Sequence, residues 1–393
     1  MIKVLFVING LSIGGSEKSL VALLNQMDYS QYEIDLQMFN NTGKLQKYLP
    51  EEVNILPVPN YYKYVAKTRS TYSYIEHVRY NLTRIKTSLN LRVNRYKGKV
   101  NNEQILYKSH KSILPRLSKE YDVAIGYAQG MPTYYIIDKV MAKKKISWIN
   151  CDYANTKYDK NFDKQYYEKL NHIVVVSNTI ESSVIKLWPE YREKINMVLD
   201  IIDPKLITQM ANMKIDVYPN KNQINILTVG RLVIHHKGYD LAVKGAKILK
   251  DKGINFKWFV LGEGEDRKNI ESLITQLGLQ NEFILLGEDD NPYPYMKECD
   301  LYVQPSRKEG FGLTVMEAKI LRKPIVCTNF NTASELLKDE IDGVIVEQSP
   351  EGISLGIQQY LDNEFKNKII NTLKSKESYT SIGEIEKICN LVG

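Results

Sequence analysis

The 393-residue chain has few cysteines, and the four it has, Cys151, Cys299, Cys327 and Cys389, lie far apart with no Cys-x-x-Cys spacing. That pattern fits a reducing compartment and a fold without a structural metal. No window approaches the roughly 18–20 apolar residues that a membrane span needs, and the run Val4-Leu5-Phe6-Val7-Ile8 is too short for a signal-peptide core. The expectation is a cytoplasmic protein. A Gly-x-Gly-x-x-Gly fingerprint is absent, as are repeats of 20–50 residues and low-complexity tracts, so a dinucleotide-binding first turn and a solenoid are not supported. Charge is nearly balanced at a formal +7, which carries meaning only if the cations cluster.

What is present is a strand–helix rhythm in two halves. At this length two domains are expected. Residues 1–9 form a β-branched apolar run, followed by the turn Gly10-Leu11-Ser12-Ile13-Gly14-Gly15-Ser16-Glu17 and by Leu20, Leu23 and Leu24 at helical spacing. Further strands are expected at 33–39, 53–56, 122–127, 146–149 and 172–177. Pro204 and the polar stretch to Gln223 interrupt the rhythm. It restarts at 224–229 and continues through 256–261, 283–286, 301–303, 324–327 and 344–346. The expected architecture is α/β, with two doubly wound, Rossmann-like sheets. The boundaries are 1–204 and 205–375, with 376–393 as a C-terminal helix whose stripe Ile382, Ile385, Ile388, Cys389 and Val392 needs a partner surface.

The stretch 61–99 departs from this rhythm. It carries Lys63, Lys67, Arg69, Arg79, Arg84, Lys86, Arg92, Arg95, Lys97 and Lys99 against the single acid Glu76, with Tyr61, Tyr62, Tyr64, Tyr72, Tyr74 and Tyr80 interleaved. Such a mixture suits an anionic lipid surface, where each cation contributes about 1 kcal/mol. A solvated helical excursion is the equal alternative. Nucleic acid is not expected, since no nucleic-acid module is recognisable.

The chemistry gathers in the second half. Residues 305–318 read Pro-Ser-Arg-Lys-Glu-Gly-Phe-Gly-Leu-Thr-Val-Met-Glu-Ala, a strand-to-helix crossing. Its glycines, Gly310 and Gly312, allow close backbone approach, and the helix start offers unpaired N–H groups to an anion. Glu309 and Glu317 flank that point. A second loop, Gly230-Arg231-Leu232-Val233-Ile234-His235-His236-Lys237-Gly238, supplies an Arg fork and a Lys charge suited to a diphosphate. Both loops, and Gly262-Glu263-Gly264, end strands of one sheet at the edge where open α/β folds bind ligands. The adjacent histidines point in different directions, so a metal is not expected. Glu309 and Glu317 as a glycosidase acid and nucleophile would have to face each other across a cleft at roughly 5 Å.

These residues resemble the retaining glycosyltransferases of family 4, which have the two-domain GT-B fold. The most specific part is Glu309-x7-Glu317, supported by Gly230-Arg231-Leu232 with Lys237-Gly238. Gly14-Gly15-Ser16-Glu17 is similar to the family's N-terminal glycine loop, and Trp148-Ile149-Asn150-Cys151-Asp152 to a segment that often has His where this chain has Asn150. The resemblance implies two Rossmann-like domains facing across a cleft, with the C-terminal helix crossing back to the first. It further implies that Glu309 bonds the donor sugar and Glu317 the ribose, and that Arg231 and Lys237 hold the diphosphate. Gly310, Phe311, Gly312, Leu313, Thr314, Gly230 and Gly262 would line the donor, and Gly15 would approach it from the other domain.

Two departures from the family matter. Arg231 and Lys237 are six positions apart where five is common, so a bulged loop is needed, and His235 or His236 could take the place of Lys237. An Asn150 amide cannot act as a base near pH 7. Ser16, Asn150 and Asp152 are the acceptor-side candidates. The implied activity is metal-independent, retaining transfer from a nucleotide sugar, UDP by default, to a glycan, lipid-linked or cell-surface polysaccharide acceptor, with no cofactor besides the substrate. The enzyme would be cytoplasmic and could sit on the inner face of the membrane. A nucleotide-sugar epimerase of the same fold and a nucleotide-sensing membrane scaffold are the alternatives.

Overall fold

Short apolar runs become the strands of two parallel sheets, one in each half of the chain. The computed structural model describes residues 1–12, 14–40, 43–68, 71–98, 100–213, 215, 217–218, 223–376 and 380–393. Of the basic stretch, Arg69 and Lys99 lie outside the described residues, as does Ile13 of the first glycine loop. The chain divides into one unit comprising Met1–Ile201 with Ile382–Gly393, and a second comprising Ile202–Ser381.

The first unit contains strands β1 (Ile2–Ile8), β2 (Tyr32–Met38), β3 (Asn54–Ile55), β4 (Glu120–Gly126), β5 (Met141–Ile149), β6 (His172–Val175) and β7 (Ile195–Met197), in the order β3-β2-β1-β4-β5-β6-β7. Register runs Ile2↔Tyr32 to Ile8↔Met38 between β1 and β2, and Val4↔Val123 to Val7↔Gly126 between β1 and β4, all parallel. The continuous apolar run of β1 follows from this position. Helices cover both faces of a central parallel strand, and Val4 to Val7 are wholly buried.

The structure adds two features to the expected strands. β7 is a three-residue edge strand, and β5 begins five residues before the expected 146–149. The early part of β5 pairs with β4 alone, because β6 joins only from Ile146↔His172 onward. Lysines are tolerated there for that reason. The helix Glu384–Val392 packs in this unit, with Ile388 and Val392 buried and the Leu391 carbonyl accepting from Lys144 Nζ at 2.8 Å.

The second unit contains β8 (Ile224–Val229), β9 (Phe256–Leu261), β10 (Phe283–Gly287), β11 (Leu301–Gln304), β12 (Ile325–Thr328) and β13 (Val344–Val346), ordered β10-β9-β8-β11-β12-β13. The strand order reverses between β8 and β11, which makes the carboxyl ends of those two strands the switch point of the sheet. The core around Trp258, Tyr239, Val303 and Phe283 sets the sheet against its helices. Burial pushes the thiols of Cys151 and Cys299 up to about 12, which keeps both as inert packing groups.

One close approach fixes the two switch-point loops together. Gly238, at φ 64°, ends the helical turn Ile234–Lys237, and a Cβ there would lie 2.0 Å from the Pro305 carbonyl oxygen. Gly253 has a similar φ of 72° but nothing within 4 Å of a Cβ. Both substitutions to Ala carry the left-handed backbone cost of roughly 1–2 kcal/mol. Only Gly238→Ala adds the overpacking cost, a further ~1–3 kcal/mol, since a backbone oxygen cannot swing aside. Thermal unfolding of the two variants checks this, and equal losses would contradict the close-packing argument.

Candidate functional site

In the second unit the two loops at the switch point meet through side chains. After β8 the chain turns at Gly230, whose carbonyl accepts from Tyr239 OH at 2.8 Å, and enters the turn Ile234–Lys237. After β11 it runs through Ser306 and Glu309 to the helix Leu313–Ile320. Lys237 Nζ donates to Glu309 Oε1 at 2.7 Å and to Oε2 at 2.8 Å, joining residues 72 apart in sequence. The pair is largely withdrawn from water, with 24% and 9% of the two side chains exposed. Charge-assisted bonds of this kind hold geometry as well as charge.

Glu309 is held from below as well. Its Oε1 also accepts from Gln304 Nε2 at 2.8 Å and from Ser306 Oγ at 2.5 Å. Gln304 in turn accepts from Tyr302 OH at 2.6 Å and from Thr314 Oγ1 at 3.2 Å. The backbone of Glu309 is clamped by Asn331, whose Oδ1 accepts from the Glu309 N–H at 3.0 Å and whose Nδ2 donates to its carbonyl at 2.9 Å. Oε1 therefore has three donors and Oε2 has Lys237 alone. Oε2 is the side of the carboxylate with acceptor capacity to spare.

The sixfold spacing of Arg231 and Lys237 is accommodated by the helical turn, not by a loose bulge. The Val233 N–H donates to the Arg231 carbonyl at 2.8 Å, and the Lys237 N–H to the Val233 carbonyl at 2.8 Å. The turn carries Lys237 to Glu309. His235 and His236 remain exposed on it, their rings 5.1 Å apart, and the His236 carbonyl accepts the Arg307 N–H at 2.7 Å. Partial desolvation, then the neighbouring His235 and the charges of Lys308 and Lys237, hold the His236 imidazole below its usual range although its side chain reaches the surface. Arg231 is exposed, and its side chain makes no hydrogen bond or ion pair among the described residues. An unengaged guanidinium on the loop that carries Lys237 is available to an anion.

The helix start completes this edge. Gly312, at φ 96°, is its N-cap, and no side chain caps the N–H groups of Leu313 and Thr314. Phe311 is buried and its carbonyl accepts from Thr332 Oγ1 at 3.1 Å; Gly310 is half-buried. Gly262 follows β9 on the other side, where a Cβ would stand 2.0 Å from the Gly230 carbonyl oxygen. Glu317 is 3% exposed, and its Oε1 accepts from Tyr293 OH at 3.0 Å. A glycosidase needs two carboxyls facing each other across a cleft, whereas Glu309 and Glu317 sit on one loop and the helix that follows it. Among the described residues, no three His, Cys, Asp or Glu side chains gather as metal ligands.

The acceptor-side candidates belong to the first unit. Gly15 is the exposed first residue of the helix Gly15–Leu24, and Ser16 Oγ donates to Glu17 Oε2 at 3.0 Å. Asn150 follows β5; its Nδ2 donates to the Tyr127 carbonyl at 2.9 Å, and its backbone N–H to Gln129 Oε1 at 3.0 Å. The buried Asn150 Oδ1 has no hydrogen-bond partner among the described residues. Asp152 is half-buried and accepts from Asn155 Nδ2 at 2.8 Å. No hydrogen bond joins Ser16 to Asn150 or Asp152 among the described residues. Tyr127, which accepts from Asn150, stacks its ring on Trp148 at 4.9 Å and places its hydroxyl 3.0 Å from Ser19 Oγ in the helix Gly15–Leu24.

Sequence reasoning missed Gln304, Ser306 and Asn331, the residues that fix Glu309. It also missed Glu103, a half-buried carboxylate accepting from Asn9 Nδ2 at 3.0 Å and Tyr158 OH at 2.8 Å, whose pKa burial raises. Gln304 and Ser306 had a usable signal, two polar residues at the end of an apolar strand. Glu103 had none.

Comparison with known proteins bears on the second unit most directly. Residues 211–376 match the family Glycosyl transferases group 1. An uncharacterized glycosyltransferase of Methanocaldococcus jannaschii is 28% identical over 183 residues, covering 45% of each chain. The Campylobacter jejuni N-acetylgalactosamine-N,N'-diacetylbacillosaminyl-diphospho-undecaprenol 4-alpha-N-acetylgalactosaminyltransferase is 33% identical over 150 residues, 36% of this chain and 40% of that one. The chain spans about half the length of the curated relatives it matches. The crystal structure of Anabaena HepE with UDP and glucose superposes with a TM-score of 0.68 at 14% identity, covering 99% of both chains. The architecture is the two-domain, Rossmann-like GT-B fold, and the group 1 match falls within the second unit.

One buried acid borders the first glycine loop. Burial pushes the Asp200 carboxyl up to about 6, with the Ser19 hydroxyl opposing and Glu17 adding to the rise. An acid whose pKa is higher in the fold than in the unfolded chain, where it is near 3.9, favours folding below that value. The benefit is lost as pH rises through about 6. Above that the ionised carboxylate costs about 3 kcal/mol. Asp200→Asn is expected to raise the unfolding temperature at pH 7.5 and leave it nearly unchanged at pH 4. An effect independent of pH would contradict the assignment.

Proposed function

We propose that this protein is a retaining glycosyltransferase that moves a sugar from a UDP-linked donor to a glycan, lipid-linked or cell-surface polysaccharide acceptor. The observation that carries the reading is the Lys237–Glu309 pair at the switch point of the second sheet, beside an exposed Arg231 and an uncapped helix start. The group 1 match over the same residues supports it, as do relatives that are glycosyltransferases and the UDP bound in a structure of the same fold.

Breaking a sugar–phosphate bond builds negative charge on the leaving diphosphate and oxocarbenium character on the sugar. Arg231, Lys237 and the N–H groups of Leu313 and Thr314 stabilise the first without a metal ion. Glu309 Oε2 accepts from the sugar hydroxyls, and Glu317 from the ribose. Lys237 serves both partners, since an ammonium has three donors and Glu309 uses two. The leaving phosphate oxygen takes the proton of the acceptor hydroxyl, so the sugar is delivered on the face the diphosphate leaves. Asn150 and Asp152 position that hydroxyl. Neither acts as a base in this scheme.

Arg231→Ala is the cleanest test, because the exposed, unpaired side chain carries no structural bond whose loss could lower stability. Its kcat/KM is expected to fall about 10²–10³-fold at unchanged unfolding temperature, with the product anomer, followed by NMR, matching the donor. Turnover within twofold of the parent, or an inverted anomer, would contradict the proposal.

A further inference from the structure

The basic stretch resolves into two layers. Its tyrosines mostly face inward: Tyr61 and Tyr80 are buried, their rings 5.6 Å apart, and Tyr61 packs 4.7 Å from the His110 ring. The helix Tyr74–Lys97 is started by a capping box, Ser73 Oγ accepting from the Glu76 N–H at 3.2 Å while Glu76 Oε2 accepts from the Ser73 N–H at 2.9 Å. The only acid of the stretch is thereby used as a cap. Thr83 and Thr87 are buried on one side of this helix.

The opposite side is apolar and bare. Ile75, Val78, Leu82, Ile85, Leu89 and Val93 follow one another at steps of three and four, and at 3.6 residues per turn they fall within about 80° of the circumference. Each is between 43% and 76% exposed, and Tyr74 and Tyr96 at the two ends are 83% and 93% exposed. Soluble surfaces rarely leave so continuous an apolar line in water. Lys86 and Arg92 flank it and Arg95 lies further round, all exposed and without an ion pair among the described residues.

We propose that this helix lies in the surface of an anionic lipid bilayer, its six-residue seam in the acyl boundary and its cations among the headgroups. The charge decides between occupants. Steps of three and four would also suit a coiled coil with a second copy, but such a pair needs acids opposite its cations, and this helix has Glu76 alone, engaged in the cap. An anionic headgroup layer supplies that charge. No helix among the described residues is long and apolar enough to cross a membrane, so the association is a surface one.

Flotation of the full chain with vesicles tests this independently of turnover. The chain is expected to float with phosphatidylcholine vesicles containing phosphatidylglycerol and to stay behind with phosphatidylcholine alone. Leu82→Glu/Ile85→Glu should abolish flotation while circular dichroism remains that of the parent. Lys86→Gln, Arg92→Gln and Arg95→Gln should each weaken it about fivefold. The parent failing to float with the anionic vesicles would overturn the proposal. So would a dimer in light scattering that Leu82→Glu/Ile85→Glu splits, which would assign the seam to a second copy.

Discussion

The candidate site of the second unit depends on one ion pair. Lys237 and Glu309 come from loops on either side of the point where the strand order reverses, and neither loop alone could hold its charge in place. A partly buried carboxylate needs a cation and hydrogen-bond donors to offset its lost hydration, and Glu309 has both, from Lys237 above and from Gln304 and Ser306 below. The same bonds set its direction. A carboxylate saturated at one oxygen and open at the other is poised to take a hydroxyl and is poorly suited to shuttle protons.

Around that pair the backbone does the remaining positioning. Gly238 lets the first loop touch the Pro305 carbonyl, and Gly312 turns the chain into a helix whose first N–H groups stay unbonded by any cap. Lys237, the helix start and the open carboxylate oxygen are then fixed before any ligand arrives. Preorganised charge of this kind stabilises a leaving diphosphate without reorganisation during the reaction.

Much of the fold was legible because parallel strands covered on both faces are continuous apolar runs. β1, β8, β9 and β11 are of this type, and their sequences read as strands without help. β7 was not legible, since three residues at a sheet edge have no period to detect. The first half of β5 was hidden by Lys143, Lys144 and Lys145, which are tolerated only because no strand flanks them on that side. In the site, the loops and their charged residues were visible at the ends of strands. Their bonding was not, because residues 237 and 309 meet only through tertiary structure. The basic stretch inverted its apparent logic: Tyr61 and Tyr80, read as part of a surface, are packed inside, and aliphatic residues that drew no notice form the exposed seam.

The most direct measurement of the central claim is a calorimetric comparison of uridine, UMP and UDP binding to the parent chain and to Lys237→Met. Cations and helix N–H groups aimed at a diphosphate predict that each added phosphate tightens binding to the parent, that salt weakens UDP most, and that the gain from the second phosphate largely disappears in Lys237→Met. Equal affinity for UMP and UDP in the parent, or an unchanged ladder in the variant, would contradict the account.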